Sequence, residues 1–120
     1  MKALGIDFIA YNVSDLKKSF AFYKDTLGLT PFGDMGESWA EFEVGNVAFD
    51  LVSFDKEAAG KCSGLALAVP DVKAALEELR GKGVTVVQEF YETPVCTGAG
   101  IADPDGNQIY LHKRKDGTVG

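Results

Sequence analysis

The chain has little histidine, cysteine or proline: one, two and four residues respectively in 120. One imidazole excludes a metal site built on two or three histidines of the same chain. Cys62 and Cys96 cannot close a zinc site by themselves. Free thiols in a reducing cytoplasm are the simplest expectation for them, with a single disulfide as the alternative. Bases are also scarce, 12 against 18 acids, for a net charge of −6. A nucleic-acid binder needs a concentrated basic surface to displace phosphate counterions, so no nucleic-acid partner is expected. No apolar run approaches the roughly 20 residues that span a bilayer. Met1-Lys2-Ala3-Leu4-Gly5 does not open a secretory signal. The expected setting is cytoplasmic, with no membrane partner.

What is there is ordinary globular material, 46% hydrophobic and 25% charged, in a length that suits one domain. Leu4 to Val13 reads as a strand. Ser14 or Asp15 stands where an N-cap belongs, and Leu16, Phe20, Tyr23 and Leu27 form one stripe of a helix that Gly28 ends. Trp39–Val44 and Val47–Phe54 read as a hairpin around Gly45-Asn46. Leu65–Val69 is a further strand, and Val72, Ala75, Leu76 and Leu79 mark a second helix closed by Gly81 and Gly83. Val84–Glu89 is a strand, Tyr91–Ala99 reads as loop, and Gln108–Lys113 is a last strand after the turn Asp103-Pro104-Asp105-Gly106-Asn107. The Gly98-Ala99-Gly100 run reads as flexible strand-edge backbone, or as a close approach to a ligand. Arg114–Gly120 is expected to fray.

The order of elements repeats. Val13-Ser14-Asp15-Leu16-Lys17 matches Val69-Pro70-Asp71-Val72-Lys73, 56 positions on. Gly45-Asn46 before Phe49-Asp50-Leu51 matches Gly106-Asn107 before Ile109-Tyr110-Leu111, the strand triplets lying 60 apart. The expectation is a single α+β domain of two βαβββ modules, about 1–60 and 61–115, whose curved mixed sheets surround a cleft. One helix per sheet covers one sheet face. Ile9, Tyr11 and Val13, and Leu65, Leu67 and Val69, should face the helices; Phe8, Ala10 and Asn12, and Gly64, Ala66 and Ala68, fall on the opposite faces. The small residues of the second set either leave room for a ligand or allow close packing on another sheet.

These motifs resemble the vicinal oxygen chelate superfamily, which includes glyoxalase I, extradiol dioxygenases and the bleomycin and fosfomycin resistance proteins. The carrying residues are Val13-Ser14-Asp15-Leu16-Lys17-Lys18-Ser19, Phe22-Tyr23, Leu27-Gly28-Leu29, Val69-Pro70-Asp71-Val72 and Asp103-Pro104-Asp105-Gly106-Asn107 leading into Ile109-Tyr110-Leu111. The resemblance implies paired modules around a cavity and a homodimer. It also implies four metal-ligand positions, one seven residues before each capping aspartate and one on the fourth strand of each module. Here those positions hold Phe8, Gly64, Asp50 and Tyr110. Two offer no donor atom, so the chain resembles the metal-free members, and no cofactor is expected.

The remaining polar and aromatic residues of the expected wall suit an organic ligand. Trp39, Glu41 and Glu43 alternate with Ala40, Phe42 and Val44, which places Trp39 and Glu41 beside Asp50 if the second set is core. With Phe8, Asn12, Tyr110 and His112 they form a candidate site of aromatic faces and carboxylates, a chemistry that binds flat or cationic molecules. The competing assignment makes Glu41 and Glu43 solvated and Trp39 core. His112 is the one general-base candidate, and nothing basic adjoins Cys96 to activate its thiol. A metal-dependent lyase or dioxygenase with a non-standard ligand set is the alternative function. A scaffold with a vestigial cavity is a third.

Overall fold

Each half of the chain opens with a short strand leading into an aspartate-capped helix. In the computed structural model, which describes residues 1–120, β1 is Phe8–Asn12 and α1 is Leu16–Ala21. Asp15 caps α1, accepting from the Lys18 amide at 3.1 Å. Asp71 repeats this for α2, Val72–Gly81, accepting from the Ala74 amide at 3.0 Å. Such a side chain satisfies an amide that has no partner within the helix. The first half adds β2 (Thr30–Pro31), β3 (Trp39–Val44) and β4 (Val47–Val52). The second half comprises β5 (Leu65–Ala68), α2, β6 (Thr85–Glu92), β7 (Cys96–Ala102) and β8 (Gln108–Arg114).

The two sheets share one topology, β1-β4-β3-β2 and β5-β8-β7-β6. The first strand of each lies parallel to the last, and all other pairs are antiparallel. This is the expected α+β architecture of mixed sheets. Apolar residues facing the helices form one core, in which Tyr11, Val13, Phe42, Phe49 and Leu51 of the first sheet join Leu67, Ile101, Ile109 and Leu111 of the second. Ala10, Ala66 and Ala68, on the opposite faces, are exposed. Each sheet is therefore covered on one side and open on the other.

Several boundaries differ from expectation. β1 starts at Phe8, not Leu4, because Phe8 pairs with Ala48 one residue into β4, and no β4 backbone lies beyond the Gly45-Asn46 turn to receive residues 4–7. The first helix widens after Ala21: Leu27 donates to the Phe22 carbonyl five residues back at 3.0 Å. Such widened turns recur where a side chain must be re-aimed, and here the widened segment carries the fully buried Tyr23. Asp15 is the cap; Ser14 instead donates its amide to Asp105 at 3.0 Å, with its hydroxyl on the same carboxylate.

The largest correction concerns Tyr91–Ala99, which is not a loop. β6 runs on to Glu92, β7 begins at Cys96, and Gly98-Ala99-Gly100 is buried strand interior between β6 and β8 rather than an edge. Register shifts between Val86 and Tyr91 bend β6 so that the Tyr91 ring lies over Gly98, where any Cβ would collide with it. The glycines there accommodate a cross-strand aromatic and do not loosen the backbone.

Beyond the shared core, a buried carboxylate bonds across the two halves. Asp103 is 5% exposed and accepts at both oxygens: the amides of Asp105 (3.0 Å) and Asn107 (2.9 Å) at Oδ1, the Tyr23 hydroxyl (2.8 Å) and Asn107 Nδ2 (2.9 Å) at Oδ2. Asn107 extends the link, donating to the Asn12 carbonyl and accepting from the Cys62 amide, both at 2.9 Å. Tyr11 donates to the Gln108 carbonyl at 2.6 Å and accepts from the Leu65 amide at 3.0 Å. Burial, and then the Asp103 charge, push the Tyr23 phenol far above its ordinary pKa, so it acts as a permanent donor. Asp103→Ala strands these donors and should cost about 3 kcal/mol in urea unfolding, against about 1 kcal/mol for Tyr23→Phe. Equal, small losses would show that the carboxylate does not hold the halves together.

Candidate functional site

The open face of the first sheet is built by register. Antiparallel pairing of β3 and β4 sets Glu41 opposite Asp50, and β1 sets Ala10 on Asp50's other side. Ala10 is small, so nothing on β1 reaches over the carboxylate. Asp50 is nevertheless 4% exposed. The Trp39 indole N–H donates to Oδ2 at 3.3 Å, whereas Oδ1 is buried without a partner. A buried carboxylate oxygen lacking a donor is costly, and a ligand or a proton can relieve it.

Glu41 is the neighbouring group that can carry such a proton. Partial desolvation, then a hydrogen bond shared with Asp50 and the negative charges of Asp50 and Glu43, hold the Glu41 carboxyl above its ordinary pKa. A protonated Glu41 would be a donor for Asp50, whereas an ionised one leaves Oδ1 without a partner. On the same face, the Phe8 ring is 57% exposed and Trp39 39%, so aromatic surface borders the acid pair. Asn12 lies at the seam between the halves: its amide donates to Cys62 Sγ at 3.4 Å and its carbonyl accepts from Asn107.

Tyr110 and His112 stand on the open face of the second sheet. His112 lies in a row between Ala68 and Gly98, Tyr110 between Ala66 and Gly100. The seven candidate residues thus form two groups. Phe8, Asn12, Trp39, Glu41 and Asp50 are on one sheet, Tyr110 and His112 on the other, and no hydrogen bond joins the groups. A cavity of about 520 Å³ lies beside His112, over Ala66 and Ala68 and under the terminal residues Gly117–Gly120. Its floor was legible in the small residues of β5. Its roof was not, because polarity and glycine make this tail look merely frayed.

Within one chain the donors do not fit a divalent ion: Phe8 and Gly64 have none to offer, and no three His, Cys, Asp or Glu side chains converge. Both thiols are free; that of Cys96 lies 3.1 Å from the Thr93 hydroxyl.

The family described as Glyoxalase/Bleomycin resistance protein/Dioxygenase superfamily matches residues 5–111. TnmS3, an antibiotic binding protein from Streptomyces sp. CB03234, is 29% identical with a TM-score of 0.84, over 96% of this chain and 99% of that one. A glyoxalase/bleomycin resistance protein from the same organism is 30% identical with a TM-score of 0.79, over 91% and 100%. Lactoylglutathione lyase from Agrobacterium tumefaciens, 18% identical with a TM-score of 0.79 over 94% and 96%, shares the fold. No curated protein sequence matches the chain.

The Glu41–Asp50 contact has a signed consequence. A raised carboxyl pKa means that the folded chain binds this proton more tightly than the unfolded chain does. Stability is therefore lost as pH rises from the ordinary carboxylate range through the folded value. Glu41→Gln, whose amide can donate to Asp50, should raise the Tm near pH 7 and change it little near pH 3. Thermal melts at both pH values check this; a uniform change at both would mean that no proton is shared.

Proposed function

The chain belongs to the Glyoxalase/Bleomycin resistance protein/Dioxygenase superfamily, and within it we propose a metal-independent small-molecule-binding protein that takes an aromatic or cationic organic compound on the open sheet faces. The observation that carries this reading is Asp50, a buried carboxylate with one unpartnered oxygen, set on an open sheet face beside exposed aromatic rings. A ligand's N–H group would complete that oxygen while its ring lies against Trp39 or Phe8. A cation would also relieve the acid pair, since no base bonds to Glu41 or Asp50. The likeness to TnmS3, which binds an antibiotic, points to the same broad use of the fold. Metal independence is supported by the donor set, which lacks the ligands that metal chemistry needs.

The working unit is a cytoplasmic homodimer. Its support is the open apolar surface of the first half, where Phe8, Phe32 and Trp39 are 57%, 53% and 39% exposed. A second copy laid on an open face would bury these rings and bring the two groups of candidate residues to one cleft.

Trp39 is the chain's one tryptophan, so its fluorescence reports the first open face directly. Benzamidinium should quench it saturably, and the neutral isostere benzamide more weakly. Glu41→Gln should weaken benzamidinium severalfold without changing the melting cooperativity. Failure of both probes to perturb Trp39 would end the ligand assignment. Light scattering should give twice the 12.8 kDa chain mass, and a monomer would remove the dimer. One tightly held divalent ion per chain, found by elemental analysis, would overturn metal independence.

A further inference from the structure

The register of the first sheet sets a third aromatic ring beside the acid pair. The Phe32 amide donates to the Glu41 carbonyl at 2.8 Å, which continues the β2–β3 ladder one residue past Pro31. Phe32 therefore stands opposite Glu41, in one cross-sheet row with Glu41, Asp50 and Ala10. Trp39 and Phe8 share that face, each two residues from the row along its own strand. They lie on opposite sides of it, Trp39 in the row of Val52 and Asn12, Phe8 in the row of Ala48 and Glu43. Three exposed rings thus flank the carboxylates on three sides. We propose that this face selects an N-alkylated organic ammonium, one that keeps an N–H for Asp50 and turns its alkyl groups to the rings, with Phe32 as a specificity-determining residue. This rests on the small-molecule reading above and narrows its ligand class.

The bonds still to be made set the number of N–H groups. Trp39 occupies Oδ2 of Asp50, and Oδ1 has no donor. A primary ammonium brings three N–H groups. Those that find neither Asp50 nor Glu41 would be turned against apolar rings, where an unmet donor is costly. A quaternary ammonium suits the ring faces, which attract a cation through their quadrupole, but it leaves Oδ1 without a donor. A methylated ammonium that keeps an N–H meets both demands. Oδ1 is out of contact with solvent, so the ligand reaches it by turning a side chain aside. Glu41 and Trp39, the neighbours on β3, are both partly exposed and can change rotamer. Charge favours the approach, because Glu43 adds a third acid to the face and no base bonds to any of the three.

The test is an NMR titration of the full chain with benzylamine, N-methylbenzylamine, N,N-dimethylbenzylamine and benzyltrimethylammonium, all cations near pH 7. The Trp39 indole N–H and the amides of Phe32, Glu41 and Asp50 should shift saturably. Affinity should peak at the methylated amines that keep an N–H, roughly fivefold above both ends of the series. Phe32→Ala, at an exposed position, should weaken N,N-dimethylbenzylamine roughly twofold to fivefold and benzylamine less, with the Tm unchanged. Phe32→Tyr, which keeps a ring face, should retain the preference. Affinity that rises or falls steadily along the series would overturn the proposal, as would an equal loss for both amines in Phe32→Ala. With benzamidinium still perturbing Trp39, either result leaves the broader ligand assignment standing; failure of benzamidinium and of all four amines ends both.

Discussion

The bonds to Asp103 are the constraint on which the arrangement of the two halves depends. A carboxylate that is 5% exposed survives in a protein interior only if its lone pairs are met. Here they are met from two directions: its own turn supplies three donors and the first helix supplies the Tyr23 hydroxyl. That last bond requires Tyr23 to point across the seam, and the widened turn after Ala21 is the local distortion that aims it there. Asn107 and Tyr11 then tie the end of β1 to the starts of β5 and β8. The repeated modules are thus fixed to each other by polar groups of their connections, and the open faces of both sheets are left free.

Asp50 makes an instructive contrast. It is as buried as Asp103, yet one of its oxygens has no donor and the residue paired with it across β3 is another acid. The two carboxylates share a chemistry and a depth and differ in satisfaction. The satisfied one lies in the seam, where nothing else has to fit. The unsatisfied one lies on an open face, and leaving it unsatisfied costs stability that only a ligand, a proton or a substitution can restore. Strain of this kind concentrates where a protein meets its ligand.

Much of this was legible in the chain. Alternation in Phe8–Val13 and Trp39–Val44 identified which side of each strand is core, since Tyr11, Ala40 and Phe42 are buried whereas Phe8, Trp39 and Glu43 are exposed. The capping aspartates and the repeat located both helices. Tyr91–Ala99 reads as loop because its glycines signal a turn locally, and only the Tyr91 ring, which bulges in β6 bring over Gly98, makes them strand residues. The placement of Glu41 beside Asp50 followed from period-two alternation. The burial of Asp50 and its bond from Trp39 did not, because both depend on how the sheet packs and not on local alternation. Nor does local sequence show that Tyr23 bonds to a residue 80 positions away.

Charge shows most clearly why composition is a poor guide to ligand class. A surplus of acids suggests a protein that attracts cations everywhere, and at Glu41 and Asp50 the local chemistry agrees. At the far end of the second sheet the acids are already engaged, Glu92 by Lys115 and Asp116 by Thr118. The field inside a sheltered cavity is set by the few groups that line it, since water and salt screen the more distant surface. A net charge of −6 therefore says little by itself, and it bears on a ligand only where acids stand together without a base, as Glu41 and Asp50 do.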